Sequence, residues 1–393
     1  MLLTQCASCA RPISHTAPRC ARCHTRYCGP TCQKEHWEGG GHSVLCKKIK
    51  RRGGAEQYHA DKKCEEAIAV AAEACAKDTA GQTCYICTQA VHWKTKEGLV
   101  RMCACRGTSG FAHVSCLAEQ AKILNDEAEA NRLGDKAQIE SWMRWQGCSL
   151  CEQQYVGVVR CALGWACWKT YANRNGQTQR HWKAMAQLAI GLKQAGLYNE
   201  AAPIYESLLA FQLQHPNLEE NVYTTQSWLA NCYMHLGRLE ESLELNQKAR
   251  DGCAKLYGPS SERTLQMIES MSTILVQLDR HAEAKSLLQT AIPVAVRNCR
   301  PNSDTLLLLR HVLAVAISGL PMGKSSRGGP PAGSLERRCA DVREAERIIG
   351  DVVNKSRQLL GGAHKFTKMF ENTASNIRNF LGICEMLKAQ GYR

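Results

Sequence analysis

Nowhere in the 393 residues does an apolar stretch reach the roughly 20 residues that span a bilayer. The longest run, VGVVRCALGWACW from Val156 to Trp168, is interrupted by Arg160, so no membrane span is expected. The opening text MLLTQCASCARPISH turns polar after Leu3 and offers no apolar export segment. A reducing compartment, cytoplasmic or nuclear, is therefore the expected location. No GxxxxGK phosphate loop, GxSxG elbow, HExxH helix or GxGxxG turn occurs either, which removes the commonest routes to catalysis within the chain.

Cysteine, by contrast, is abundant, with 23 residues. Such a number would frame disulfides in a small secreted protein, but in a reducing compartment cysteines crowded into CxxC pairs read as thiolate ligands. Fourteen of the 23 fall into two clusters, residues 6–46 and 84–151. The Ala/Glu/Lys-rich stretch between them, Ala55 to Gly81, predicts a helical connector. Cys64 and Cys75 on that stretch have no partner at ligand spacing and are expected to pack.

The formal net charge is +14, and residues 1–60 hold ten Lys/Arg against three Asp/Glu. The densest run is CKKIKRR, Cys46 to Arg52. It suits a nuclear-import signal, an RNA contact or a solvated edge. A nucleic-acid-binding function resting on this run is a third, weaker reading beside the two given below, because the run lacks the interleaved aromatics of a stacking surface.

The first cluster reads Cys6-x2-Cys9, Cys20-x2-Cys23, Cys28-x3-Cys32 and His42-x3-Cys46. Eight ligand-type residues in four pairs are the number two closed tetrahedral zinc sites require. Four protein ligands per ion leave no open position for water, so such sites make folding energy and no chemistry. The order of these pairs, with the dipeptide His36–Trp37, resembles the MYND zinc finger over residues 6–46. That resemblance implies an interleaved assignment, with Cys6, Cys9, Cys28 and Cys32 on one zinc and Cys20, Cys23, His42 and Cys46 on the other. His36 is then no ligand. It also implies docking of short, often proline-containing peptides, for which Gln33 and Trp37 are the surface candidates.

The second cluster reads Cys84-x2-Cys87, Cys103-x-Cys105, His113-x2-Cys116 and Cys148-x2-Cys151. Again eight ligand-type residues stand in four pairs. The segments MCACRGTSGFAHVSCL (Met102 to Leu117) and CSLCEQQYVG (Cys148 to Gly157) resemble the RING-CH variant of the RING finger. A PHD finger uses a similar series but separates its third and fourth cysteines more widely. Cross-brace order implies one zinc on Cys84, Cys87, His113 and Cys116 and another on Cys103, Cys105, Cys148 and Cys151. With the first finger this makes four zinc ions per chain.

The same resemblance implies a ubiquitin ligase that holds a ubiquitin-conjugating enzyme in a productive orientation, with no catalytic residue of its own. Ile86 would be its apolar contact, and Leu150 stands where many RING fingers have proline. Two features depart from the pattern. Gln120 occupies a position where RING-CH fingers often have tryptophan, and the loop Leu117 to Gly147 is long at 31 residues and helical in character. Near its end Trp142 and Trp145 suit either a docking aromatic or cover for the second zinc site, with cover preferred.

After about residue 180 the pattern becomes one of repeated helix pairs. Segments beginning at Leu188, Leu229, Met271 and Leu313 align with offsets of 41, 42 and 42 residues, the signature of a solenoid. Each pair has a Gly or Asp at its turn and a small residue, Ala201, Ser242 or Ala284, where helices must approach. Connections such as LYGPSSERT, RNCRPNSDT and LLGGAHKFT end on Thr264, Thr305 and Thr367, read as N-caps. These features resemble tetratricopeptide repeats of the kinesin-light-chain type over about 182–390. A Gly/Pro/Ser tract at 319–335 is expected to be a disordered insertion, and the last helix to cap the stack.

The expected fold is thus mostly α: two small zinc-stabilised fingers followed by a tetratricopeptide-like solenoid. The expected parts are a MYND-type finger at 1–52, a connector at 53–81, a RING-CH-like finger with a C-terminal helix at 82–180, and repeats at 181–393. Zinc-dependent protein–protein interaction is the expected function, as the substrate-recruiting body of a ubiquitin ligase, with a non-enzymatic scaffold or transcriptional co-regulator as the alternative. The aromatic stripe CALGWACWKTYANR, Cys161 to Arg174, suits either a partner helix or a core helix, with core preferred.

Overall fold

The computed structural model describes residues 5–11, 13, 17–172, 179–300, 303–320 and 335–390. It forms two compact units, Met1–Phe211 and Gln212–Arg393. Of the expected insertion, residues 321–334 lie outside the described residues. Among the described residues the fold is helical, with no strand beyond three isolated bridges, Arg19 with Arg26, Val100 with Ala112 and Gly147 with Gln154. No described helix is long and apolar enough to cross a membrane.

The first unit contains α1 (Pro30–Glu38), α2 (His42–Arg51), α3 (Ala55–Thr79), α4 (Val114–Ala130), α5 (Asp135–Met143), α6 (Gly157–Tyr171), α7 (Gln179–Gln194) and most of α8 (Tyr198–Gln212). Its centre is α6, of which eleven of fifteen residues are buried, so it is apolar on every side rather than along one stripe. Helices α3, α4 and α7 pack around it. As far as Tyr171 the aromatic stripe is therefore core, and its last residues, 173–174, lie outside the described residues. Gly164 and Gly191 let α6 and α7 touch backbone to backbone: a Cβ at Gly191 would lie 2.8 Å from Arg160 O, and one at Gly164 3.0 Å from Gln187 O.

Arg160, which interrupts the longest apolar run, is wholly buried. Its guanidinium donates to Trp145 O and Gln146 Oε1, both at 3.1 Å, and to Gln187 Oε1. Burial with only neutral acceptors pushes its pKa down to about 10. The arginine thus ties α6 to α7 and to the end of the long loop. Trp142 and Trp145 also face this core: their rings pack on Tyr171 at centroid distances of 5.6 and 5.9 Å.

The second unit contains α9 (Glu219–His235), α10 (Leu239–Tyr257), α11 (Glu262–Gln277), α12 (His281–Asn298), α13 (Asp304–Ser318), α14 (Leu335–Leu360) and α15 (Lys365–Ala389). Consecutive helices pack as antiparallel neighbours, and α15 closes on α14 and α13. The periodic turn has one geometry. Gly237 and Asp279 sit at φ 78° and 58°, and the amides of Arg238 and Arg280 reach back to Tyr233 O and Leu275 O, each at 2.9 Å. This 6→1 bond with a left-handed residue satisfies carbonyls that a helix end would leave open. In the first unit Gly196 (φ 77°) and the bond from Leu197 N to Leu192 O repeat it. Ser242 and Ala284 are fully buried, and Ser242 Oγ donates to Ala230 O at 2.6 Å.

The helix starts differ from expectation. The N-caps are Ser261, Ser303 and His364, whose side chains accept from the amides of Thr264, Thr305 and Phe366. Thr264, Thr305 and Thr367 lie inside the first turn and are buried. Thr264 Oγ1 donates to Gly258 O at 2.9 Å instead of capping. The cap falls two or three residues earlier because a capping acceptor, hydroxyl oxygen or imidazole nitrogen, must face free amides ahead of it.

Candidate metal centres

Two-residue cysteine spacings work because one tight turn aims two sulfurs at one point. That turn is visible in full at Cys6, Cys20, Cys84 and Cys148. In each, the first cysteine's amide bonds the carbonyl five residues on, at 2.8–3.0 Å, and its own carbonyl accepts from the residue four on. The residue four on is left-handed every time: Ala10 (φ 57°), His24 (63°), Thr88 (62°) and Glu152 (58°). None is glycine.

The four turns and the residues between them bring together four groups. Cys6, Cys9, Cys28 and Cys32 form one, and Cys20, Cys23, His42 and Cys46 another. Cys84, Cys87, His113 and Cys116 form the third, and Cys103, Cys105, Cys148 and Cys151 the fourth. Within each group all four donor atoms lie within 4.8 Å of one another. A tetrahedral zinc with Zn–S of about 2.3 Å has sulfur–sulfur edges of roughly 3.7 Å. The observed Sγ–Sγ separations fit this: Cys9 to Cys28 and Cys105 to Cys148 are 3.7 Å apart, and Cys20 to Cys46 is 3.8 Å. All four groups are therefore geometrically fit for a metal ion, and the thiolate-rich donor sets favour a soft one.

Histidine supplies one donor to two of the groups. His113 Nδ1 lies 3.4 Å from Cys87 Sγ and 3.7 Å from Cys116 Sγ, while its Nε2 faces Ala90 O at 3.4 Å. The carbonyl fixes the tautomer that leaves Nδ1 free for coordination. His42 turns Nε2 toward Cys23 Sγ at 3.4 Å. Arg11 Nε donates to Cys9 Sγ at 3.3 Å and holds that thiol down to about 6, in the thiolate form that ligation needs.

His36 is outside every group. Its Nδ1 meets Tyr27 Oη at 3.1 Å, and its ring lies 5.1 Å from that of His42. The glycine run serves this packing: a Cβ at Gly40 would come within 2.3 Å of His36 Cδ2, and Gly41 (φ 75°) opens α2 so that His42 points inward. In the second finger Gly110 (φ 86°) is under the same pressure, since a Cβ there would lie 2.5 Å from Cys105 Cβ.

A fifth copy of the turn carries no cysteine, and ligand spacing gave no sign of it. His92 N bonds Glu97 O at 3.0 Å, Lys96 N bonds His92 O at 2.9 Å, and Lys96 is left-handed at φ 60°. His92 and Thr95 stand where the ligand pair would be. His92 Nδ1 meets Thr95 Oγ1 at 2.7 Å, and Thr95 donates on to Glu97 Oε2 at 3.0 Å. Glu97, 8% exposed, also accepts from Ser115 N at 2.7 Å and Ser115 Oγ at 2.8 Å, so it caps α4 beside His113 and Cys116.

The four docking candidates divide by exposure. Trp37, Ile86 and Leu150 are exposed, at 39%, 37% and 51%, and Gln33 is half-buried. Tyr85 Oη and Ser149 Oγ bond at 2.9 Å, joining the Cys84 and Cys148 turns beside Ile86 and Leu150. Cys64 and Cys75 are buried on α3, as packing residues would be.

Comparison with known families matches residues 6–46 to the MYND finger, 84–132 to the RING-variant domain and 221–295 to the tetratricopeptide repeat. The RING-variant match stops short of Cys148 and Cys151, which the structure brings to Cys103 and Cys105. No curated protein matches the chain. Among solved structures, the nearly identical TPR-like repeats of a Podosopora anserina kinesin light chain are similar at 17% identity, over 63% of this chain and 97% of that one, with a TM-score of 0.39. BtubC from P. vanneervenii aligns at 14% identity over 71% of this chain and 93% of that one (TM-score 0.36). A Rap protein complexed with Competence and Sporulation Factor aligns at 15% over 69% and 70% (TM-score 0.38). The chain thus carries a MYND finger and a RING-variant domain, followed by tetratricopeptide-like repeats.

Proposed function

We propose that each of the four groups holds one zinc ion, four per chain, and that the sixteen Cys and His residues named above are its ligands. The ions shape the fingers and take no part in a reaction, because every ligand position is filled by protein. On this reading the chain keeps four parts: finger 1–52, connector 53–81, second finger 82–180 and repeats 181–393.

The second finger acts as a RING-type ubiquitin ligase. It binds a ubiquitin-conjugating enzyme through Ile86 and Leu150 and accelerates transfer by holding the thioester in position. The observation that carries this is the Tyr85–Ser149 bond, which holds two exposed apolar side chains on adjoining rigid turns. Rigid apolar anchors of this kind bind at little ordering cost. The repeats and the MYND finger, with Trp37 and Gln33 on its surface, select the protein to be modified in the cytoplasm or nucleus. A second reading, a scaffold or transcriptional co-regulator without ligase activity, is favoured by Gln120 and by the helical insertion α4–α5 that separates the last ligand pair from the rest.

Ubiquitination in vitro with a panel of conjugating enzymes separates the two. Native protein should build chains, Ile86→Ala should lose most of that activity while retaining its zinc, and Cys84→Ser should lose both. If no enzyme yields chains with native protein, the scaffold reading stands alone.

A further inference from the structure

The outer face of α2 plays no part in the metal clusters. His42, Cys46 and Ile49 point inward at i, i+4 and i+7, all buried. The same spacing places Val44, Lys47, Lys48 and Arg51 in one row on the opposite face, with Leu45 and Arg52 beside it. Val44 is 81% exposed and Leu45 38%. Trp37 adjoins the start of the helix, its ring 5.7 Å from that of His42. Along the chain the ion pairs pass from Lys34–Glu38 to Lys62–Glu66, so among the described residues none of the α2 cations is paired with a carboxylate.

We propose that this face binds an extended peptide whose apolar residues meet Val44 and Leu45 and continue past the start of α2 to Trp37, on the His42 side, while aspartates or glutamates meet the lysines and arginines. The proposal rests on reading the MYND finger as a peptide-docking surface, and adds the charge of the peptide. Charge complementarity selects the partner: like-charged sequences are repelled, and acidic ones are steered to the site. Single-stranded nucleic acid is held by a series of aromatic platforms, whereas this surface offers one indole beside aliphatic Val44 and Leu45, and Arg52 already lies 5.8 Å above the Tyr58 ring. A bilayer would need a broad apolar face. Here two aliphatic side chains and one indole are exposed, and the opposite face of the helix is occupied by the finger's own core.

The test is selection of a random dodecapeptide library displayed on phage against the full chain purified with its metal, in parallel with Lys47→Glu/Lys48→Glu and Val44→Asp. Both variants alter exposed side chains, and unchanged zinc content verifies the fold. Enriched peptides should carry an apolar centre and a net negative charge. As synthetic probes they should bind the double charge reversal at least about tenfold more weakly, with affinity falling as salt rises. Neutral or basic peptides that still need Trp37 would overturn the acidic partner and leave peptide docking intact. Absence of any peptide that distinguishes native protein from Val44→Asp would overturn both. Tighter binding of a single-stranded oligonucleotide or of phosphatidylserine vesicles, lost in the charge reversal, would assign the face to a polyanion and overturn the proposal.

Discussion

The fingers and the repeats use the same backbone device for opposite ends. Both close a turn on one left-handed residue. The fingers place Ala10, His24, Thr88, Lys96 and Glu152 there, whereas the repeats use Gly196, Gly237 and, once, Asp279. A non-glycine residue in this region costs on the order of 1 kcal/mol, a cost that must be met by something the turn makes possible. In four of the five finger turns that something is the donor set, and in the Lys96 turn it is the placing of Glu97 against the start of α4. The interior of the first finger consists largely of Cys6, Cys20, Cys23, Cys32 and Cys46, with Tyr27, Ile49 and Ala55 for company. In the repeats the turn joins two helices whose cores are aliphatic, such as Leu265, Val276, Leu288 and Val312. On the proposed reading one region is held by metal ligands; the other is held by buried hydrocarbon.

Metal removal should break this symmetry most strongly. With a strong chelator, hydrogen exchange should accelerate across residues 6–46 and 84–151 while α9 to α13 retain protection, since structural zinc supplies about 10–16 kcal/mol to small fingers. Equal loss in both regions would refute the division. A smaller breakage follows from Gly110→Ala, whose Cβ would collide with Cys105. Bound zinc should fall by about one ion per chain, with a cost of several kcal/mol. Gly107→Ala is the control: it is also left-handed (φ 61°) with nothing within 4 Å, and should cost only about 1 kcal/mol and keep the metal.

The repeats have their own sensitivity, to acid. His311 is 2% exposed and burial pushes its pKa down to about 4. Its folded pKa lies below the unfolded value of about 6.5, so the unfolded chain takes up the proton first. Stability of the second unit should be full above about pH 6.5 and fall by roughly 2–3 kcal/mol toward pH 4. Denaturant titrations of His311→Phe should show a shallower pH dependence; an unchanged slope would remove the histidine from the account. Smallest is Asp279→Gly, which relieves a left-handed side chain but frees the unfolded backbone. Its melting point should move by no more than the equivalent of about 0.5 kcal/mol.

Much of this was legible because ligand chemistry and period are local signals. Spacing alone marked out the sixteen donors that the structure gathers into four groups, and the offset near 42 residues located Gly237 and Asp279 at their turns. What stayed hidden has no local signature. Arg160 looked like a break in an apolar run, yet its acceptors are Trp145 O and the side chains of Gln146 and Gln187, set by tertiary packing. Thr264, Thr305 and Thr367 read as caps because a hydroxyl near a helix start has two roles, and only geometry separates the capping oxygen of Ser261 from the inward one of Thr264. The His92 turn lacks the cysteines by which its siblings are found.

That cysteine-free turn bears on the order of assembly. Closing it needs no ion, only Thr95, Glu97 and Ser115, so it can form in the nascent chain on the microsecond scale of small hairpins. Once closed, it holds the first turn of α4, and with it His113 and Cys116, near their final places. If this group holds zinc as proposed, an arriving ion would meet two donors already set and would have only the Cys84 turn left to capture, which would lower the entropic barrier to loading that site.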